Sequence, residues 1–503
     1  MIKNNNKKSF PHLSDGFVDE NRWVYLSLIW MLRQPKKSLM VVIRQPRKFF
    51  AFICRHPNKF FFSTKYSLRV TKGKKNNSNF YRRLILKYKN SYIRKLDRRD
   101  DRPVILLLST YPFINPTHGG QIRLKNIATM YECAGWRVHS VAIYDTKVDP
   151  QLTGPYDIYF DSQSPWRMYN GNDIPFITDL QSGKYATTDY VFDKIIKFLP
   201  NQLDVIHAEQ PWMWPVVKKL ATIDKYKNSI LVNGTQNIEL HLKQSIFDKY
   251  GINNPDVINE IDELELLACR EADITVAVTE KDLAHFKRHT NGIGIMAPNG
   301  VSPWSASEDK LEEWRAKLPT GPWLLYVASA HPPNFTGFIE CIGDSLACLP
   351  PDGRIVVAGS VSKHIYRVMS QTRFHSLNLS RLQLLFELSD EDLSAVKTLA
   401  PAYLLPLKDG GGSNLKTAEA LYSNAIVVGS SHAFRGFEGY MHSQGVYICR
   451  TSVDFQNTIR TLSQGNFLNS FNRQNKDLLT WEFSLSELIK TIFELKCEND
   501  IKK

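Results

Sequence analysis

The chain has 503 residues, of which 43% are hydrophobic and 23% charged, with a formal net charge of +14. The length exceeds what one hydrophobic core organises, which predicts two or three domains, and the composition excludes wholesale disorder. Seven cysteines without a CxxC pair exclude a disulfide framework and a structural zinc site, and point to a reducing compartment.

The charge is uneven. Residues 1–102 hold 26 Lys and Arg against 6 Asp and Glu, a net of +20, while the remainder holds 38 against 44, a net of −6. A nucleic-acid groove on the body is therefore not expected. The basic residues near Met1 are followed by Ser14, Asp15, Asp19 and Glu20, not by the apolar core of a secretory signal. No uninterrupted apolar run reaches the roughly 18 residues of a membrane span. The expected location is cytoplasmic, peripheral on the inner face of the membrane. Within this extension Arg33-Gln34-Pro35, Arg44-Gln45-Pro46 and Arg55-His56-Pro57 recur every 11 residues, separated by apolar blocks rich in phenylalanine (Phe49, Phe50, Phe52, Phe60, Phe61, Phe62). Basic flanks around aromatic blocks suit an anionic membrane surface. The alternative is a basic arm packed on its own body.

Beyond a polar stretch at 72–80, Val104–Leu108 is a short apolar run that predicts a strand buried on both faces. A helix follows over Arg123–Cys133. Strands are then predicted at Val138–Ile143, Asp204–His207, Ile230–Val232 and Ile274–Val278, with a helix over Val257–Ala272. After Pro298-Asn299-Gly300 the alternation restarts, with strands at Leu324–Val327, Ile355–Ala358, Leu382–Phe386, Ala402–Leu405 and Ala425–Val428. Two successive runs of strand and helix predict two doubly wound α/β domains, with the ligand crevice at the carboxyl ends of the strands.

Three segments carry candidate chemistry. Gly410-Gly411-Gly412-Ser413-Asn414-Leu415-Lys416 follows a strand and opens a helix. Glycines let the backbone approach a ligand, the helix N-terminus offers free amides, and Lys416 adds a full charge; together they suit a diphosphate. Glu419, three residues on, shares a helix face with Lys416 and suits ribose hydroxyls. The Walker spacing is absent. Next, Gly119-Gly120 opens a helix directly after the first strand, with Arg123 as a second phosphate partner. Last, His207 ends a strand, in position to orient the donor or the acceptor hydroxyl, with Glu209 beside it.

The segment GGGSNLKTAEAL, followed by Val427-Val428-Gly429-Ser430 and Ala433-Phe434-Arg435-Gly436-Phe437-Glu438, resembles the donor-binding segment of GT4-like (group 1) GT-B glycosyltransferases, in their glycine-rich-loop branch. The resemblance extends over residues 103–500. It implies a GT-B fold: residues 1–102 form the basic extension, 103–300 an acceptor domain, 301–480 a nucleotide-sugar domain, and 481–503 a helix crossing back to the first domain. It implies transfer of a sugar from a nucleotide-sugar to a glycan or lipid-linked acceptor, with retention and without a metal or other cofactor. Gly119, Gly120, Arg123, Gly411, Gly412, Ser413, Asn414, Leu415, Lys416 and Glu419 would bind the donor, and His207 and Lys416 would act in catalysis. Glu419 matches the second glutamate of the family's E-x7-E motif. The first falls on Gly411, a departure that hands its task to the loop amides or to Asp409. His331 and Asn334 stand where many relatives carry an Arg and a Lys. That departure leaves two rival readings: a non-catalytic, membrane-associated partner protein with the same fold, and a sugar-nucleotide epimerase.

Overall fold

The computed structural model describes residues 102–145, 152–464 and 476–501. The basic repeats and their proposed membrane contact lie outside the described residues.

The strand-and-helix alternation of the sequence builds two parallel sheets. The first orders its strands β3-β2-β1-β4-β5-β6-β7, with β1 at Val104–Ser109, β2 at Arg137–Tyr144, β3 at Ile158–Tyr159, β4 at Val205–Glu209, β5 at Ile230–Gly234, β6 at Ile274–Ala277 and β7 at Ile293–Met296. The second orders them β10-β9-β8-β11-β12-β13, with β8 at Trp323–Val327, β9 at Arg354–Ala358, β10 at Leu382–Phe386, β11 at Ala402–Leu405, β12 at Ile426–Ser430 and β13 at Val446–Cys449. This is the GT-B architecture. Every residue of β1 is buried, because successive side chains enter opposite layers. Leu106 and Leu108 join one core with Trp214 and Val217, while Ile105 and Leu107 join the other with Leu124 and Ile127.

The short strands β3, β7 and β13 were not foreseen. All three lie at sheet edges. They span only two, four and four residues and are partly exposed.

The helix Trp481–Ile501 begins in the second domain and packs on the first. Its Trp481, Leu485, Leu488 and Ile492 enter the core that holds Leu124, Ile127 and Trp136. Lys496 Nζ reaches Asp204 Oδ1 at 2.9 Å. Backbone bonds between Val301 and residues 479–481 fasten the two crossings of the domain boundary to each other.

In each sheet the strand order reverses at the central pair, β1 and β4 in the first and β8 and β11 in the second. The crevice of a doubly wound sheet opens at that point. The segments that leave β1, β8 and β11 carry Gly119-Gly120, His331 and Gly410–Gly412, while His207 lies within β4, two residues before its carboxyl end.

Candidate active site

On the second-domain side, β11 runs into the glycine loop and then the helix Leu415–Tyr422. Asn414 is the joint. Its amide donates to Arg435 O at 3.2 Å, and its side chain donates to Thr417 Oγ1 at 2.8 Å and Ala433 O at 3.0 Å. Ser413 Oγ accepts from the Asn299 amide at 2.8 Å, and its carbonyl accepts from Asn299 Nδ2 at 2.9 Å. Ser413 and Asn414, expected as donor contacts, are thus buried latches: one ties the loop to the interdomain linker, the other to the turn after β12. Leu415 is half-buried and packs against the first domain's core. The amides of Leu415 and Lys416, first in the helix, take no acceptor among the described residues. Such amides form an anion seat.

Lys416 Nζ donates to Asn334 Oδ1 at 2.7 Å. Burial pushes its pKa down to about 8, Glu419 opposes this, and Arg435 adds to it. The ammonium thus faces a neutral amide and a second cation, an arrangement that an added anion would relieve. Glu419, expected to hold ribose, pairs with Lys397 at 2.6 Å. The pair borders a cavity of about 240 Å³ lined by Trp304, Ser394 and Trp481, among others. A somewhat larger cavity of about 280 Å³ lies at the opposite end of the first sheet, around Asp204 and Lys496, away from these loops.

The first-domain side is built differently. Arg123, expected at a phosphate, turns inward: its Nε meets Glu209 Oε1 at 2.7 Å and its NH1 donates to Ala297 O at 2.9 Å, with the side chain 1% exposed. His207, expected across the cleft from the glycine loop, is wholly buried. Its Nδ1 lies 2.8 Å from Tyr131 Oη and its Nε2 lies 3.1 Å from Glu209 Oε2. Both placements correct the reading from sequence. The physical reason is Glu209, a buried carboxylate that draws the guanidinium and the imidazole beneath the cleft floor, since an unpaired charge there would be costly. Burial works to raise the pKa of Glu209, but Arg123 and His207 outweigh it and hold it below the usual value. Gly234 is part of this arrangement, because a Cβ there would overlap Glu209 Oε2 and His207 Nε2.

Gln236 carries the network to the surface of the cleft. Its Nε2 donates to Tyr111 Oη at 2.7 Å and lies 3.3 Å from Glu209 Oε1. Its backbone also lies against the glycine loop of the second domain. Gly412 has φ +60, and a Cβ on it would overlap the carbonyl oxygen of Gln236; a Cβ on Gly411 would overlap Asn237 Oδ1. Position 411 therefore has no room for a side chain while Asn237 stays where it is. Asp409, considered as a substitute, is exposed and 3.8 Å from Lys249. Arg435 donates to the carbonyls of Gly412 and Gly411 at 3.0 and 3.3 Å and fixes the loop.

Tyr111, Tyr131 and Lys397 are not singled out by the sequence patterns, although Tyr111 lies in the loop between β1 and Gly119-Gly120. Gly119 is exposed at the opening of its helix, and Gly120 lies against Tyr111. Among the described residues no group of three or more His, Cys, Asp or Glu could hold a metal ion, and no helix is long and apolar enough to cross a membrane.

The chain shares the GT-B fold with several solved structures. Sucrose-phosphate synthase from Thermosynechococcus elongatus is similar with a TM-score of 0.57 and 16% identity, over 78% of this chain and 100% of that one. The catalytic domain of starch synthase IV from Arabidopsis thaliana, bound to ADP and acarbose, gives 0.52 and 11% over 79% and 99%. A trehalose-phosphate synthase from Burkholderia xenovorans, in complex with glucose-6-phosphate, gives 0.51 and 13% over 77% and 99%. No protein-family model and no curated protein matches the sequence.

Proposed function

We propose that this chain is a glycosyltransferase that moves a sugar from a nucleotide-sugar to a glycan or lipid-linked acceptor, with retention and without a metal. The observation that carries the reading is the glycine loop. It leaves a switch-point strand, presents the free amides of Leu415 and Lys416, and places the Lys416 ammonium where no carboxylate pairs with it directly. In the similar starch synthase structure a nucleoside diphosphate is bound, which supports the same ligand class here. The diphosphate would lie on the 410–416 segment and the ribose near Glu419 and Lys397, in the cavity beside Trp304. Leaving-group charge would then meet preorganised amides and Lys416, which is where such catalysis draws most of its effect. His207 is a positioning residue in this reading: through Glu209 it holds Gln236 at the cleft.

The test is thermal stabilisation of the full chain across a panel of nucleotide-sugars, followed by product analysis with lipid-linked and glycan acceptors. Stabilisation by one nucleotide and transfer of its sugar is the expected result. Binding without turnover would favour a non-catalytic role, and interconversion of free nucleotide-sugars would favour an epimerase. The acceptor reading includes an anionic membrane engaged by residues 1–102, whose net charge is +20. Each Lys or Arg near such a surface contributes about 1 kcal/mol. Co-sedimentation with anionic vesicles should be strong for the full chain at low salt and lost on removal of residues 1–101. Equal binding by both would exclude the extension as the contact.

A further inference from the structure

Phe176 and Tyr250 are large aromatic side chains that the fold turns toward solvent. Phe176 is 44% exposed and Tyr250 58%, and their rings lie 4.8 Å apart at 31°. Their neighbours in the chain behave in the opposite way. Ile177 is buried, as is Phe247, one turn before Tyr250 on the helix Glu239–Tyr250, and both join the core that holds Leu180, Trp212 and Ile261. Two separate segments are thus anchored in one core, and each sends out one ring to meet the other.

The exposure of Phe176 is held in place. Its φ is +66, a left-handed backbone that a bulky side chain rarely adopts. Lys243 Nζ donates to the Phe176 carbonyl at 2.7 Å and to Asp179 Oδ2 at 3.2 Å, and Thr110 Oγ1 donates to Asp179 Oδ1 at 3.2 Å. Lys243 is itself buried. A turn that folded the ring onto the core would need neither the strain nor a buried ammonium. Strain of this kind persists only where the surroundings impose it, and such positions gather at ligand sites.

The pair stands at the mouth of the cleft. Thr110 directly follows β1, so its partner Asp179 lies at the carboxyl end of that strand. Lys249, next to Tyr250, reaches Asp409, which precedes the glycine loop, at 3.8 Å. The rings therefore lie between the strand ends of the first domain and the loop assigned above to the donor.

The chemistry of this spot selects its ligand. An aromatic face is electron-rich and attracts the weakly positive C–H groups of a pyranose face. Each Asp179 oxygen accepts one of the bonds above, out of roughly four acceptor sites on a carboxylate. Its side chain is 39% exposed, so the group is oriented and still open to hydroxyls. Lys243 and Lys249 each lie beside a carboxylate, and neither is left over for a phosphate. An alkyl chain would use the rings but leave Asp179 idle.

We propose that Phe176, Tyr250 and Asp179 form the acceptor subsite and take an uncharged pyranose ring, its C–H face on the aromatic pair and its hydroxyls on the carboxylate. The proposal rests on the nucleotide-sugar reading for the transfer itself, and names the chemical class of the group that receives the sugar.

Saturation-transfer NMR on the full chain tests this with methyl α-glucopyranoside, methyl α-galactopyranoside and methyl α-mannopyranoside at millimolar concentration, without nucleotide. At least one should receive saturation on the C–H groups of one ring face, and its binding should weaken about fivefold or more in Y250A. F176G separates the platform from the scaffold. Glycine adopts a φ of +66 without strain, so this variant should unfold at the same or a higher temperature than the unaltered chain while its glycoside binding is lost. F176Y should retain the binding. Glycoside binding unchanged in both F176G and Y250A, or contact with none of the three glycosides, overturns the subsite. Thermal stabilisation by a nucleotide-sugar with no glycoside contact overturns the subsite alone; glycoside contact with no nucleotide stabilisation overturns the donor reading and leaves the sugar site standing.

Discussion

The two faces of the cleft hold similar residues in opposite states. On the first domain Arg123, His207 and Glu209 form a closed set: the carboxylate meets both the guanidinium and the imidazole, and the side chains are essentially inaccessible. On the second domain Lys416 meets only an amide, and His331 and Arg435 lie in its field without a carboxylate bonded to Lys416. The difference separates charges that hold a fold together from charges left for a ligand. A residue's place at the carboxyl end of a strand does not decide between the two. The number of its partners does.

Removal of one member of the closed set should produce the largest effect. Glu209→Ala leaves the Arg123 guanidinium buried without its counter-ion, and stability should fall by about 3–5 kcal/mol. Urea unfolding measures this, and a loss below about 1 kcal/mol would break the comparison at its first-domain end. On the open side, Lys416→Ala should weaken nucleotide-diphosphate binding by about 1.5–3 kcal/mol, the range for a charge-assisted hydrogen bond, with little loss of stability. Calorimetry showing unchanged affinity would remove the donor seat from the glycine loop. His207→Ala comes next, with a loss of about 1–3 kcal/mol in stability for an unsatisfied buried network. Donor affinity of the folded fraction should stay unchanged; a large fall in turnover with stability preserved would return His207 to the chemistry.

A pH slope tests a buried carboxylate that, among the described residues, has no cationic partner bonded to it. Glu265 is buried and accepts the amides of Glu239 and Leu240 at 2.7 and 3.3 Å, and burial pushes its pKa up from 4.5 to about 8. Between those values the folded chain binds a proton that the unfolded chain has released. Stability should therefore fall as pH rises from about 4.5 toward 8, and level off above. Glu265→Gln should flatten the slope in unfolding curves taken at pH 5.5 and 8.

The central strands and the glycine loop were legible because their signals are local. A strand buried on both faces is a continuous apolar run, as in β1 and β12, and a loop that must pass close to another backbone shows as glycine. Edge strands β3, β7 and β13 were not legible, since apolar runs of two to four residues are too short to separate from the turns around them.

By itself the sequence determined that two parallel α/β sheets form, that a glycine-rich turn opens a helix in the second, and that the excess positive charge belongs to residues 1–102. Only the tertiary structure decided which charges are available. Arg123 lies 86 positions from Glu209, Gln236 lies 125 from Tyr111, Asn299 lies 114 from Ser413, and Lys416 lies 82 from Asn334. Pairings at such separations leave no periodicity or spacing in the chain. They are set when the strands that carry them come together, and the lower dielectric beneath the cleft then makes each buried charge seek its partner, leaving those at the surface of the cleft for a ligand.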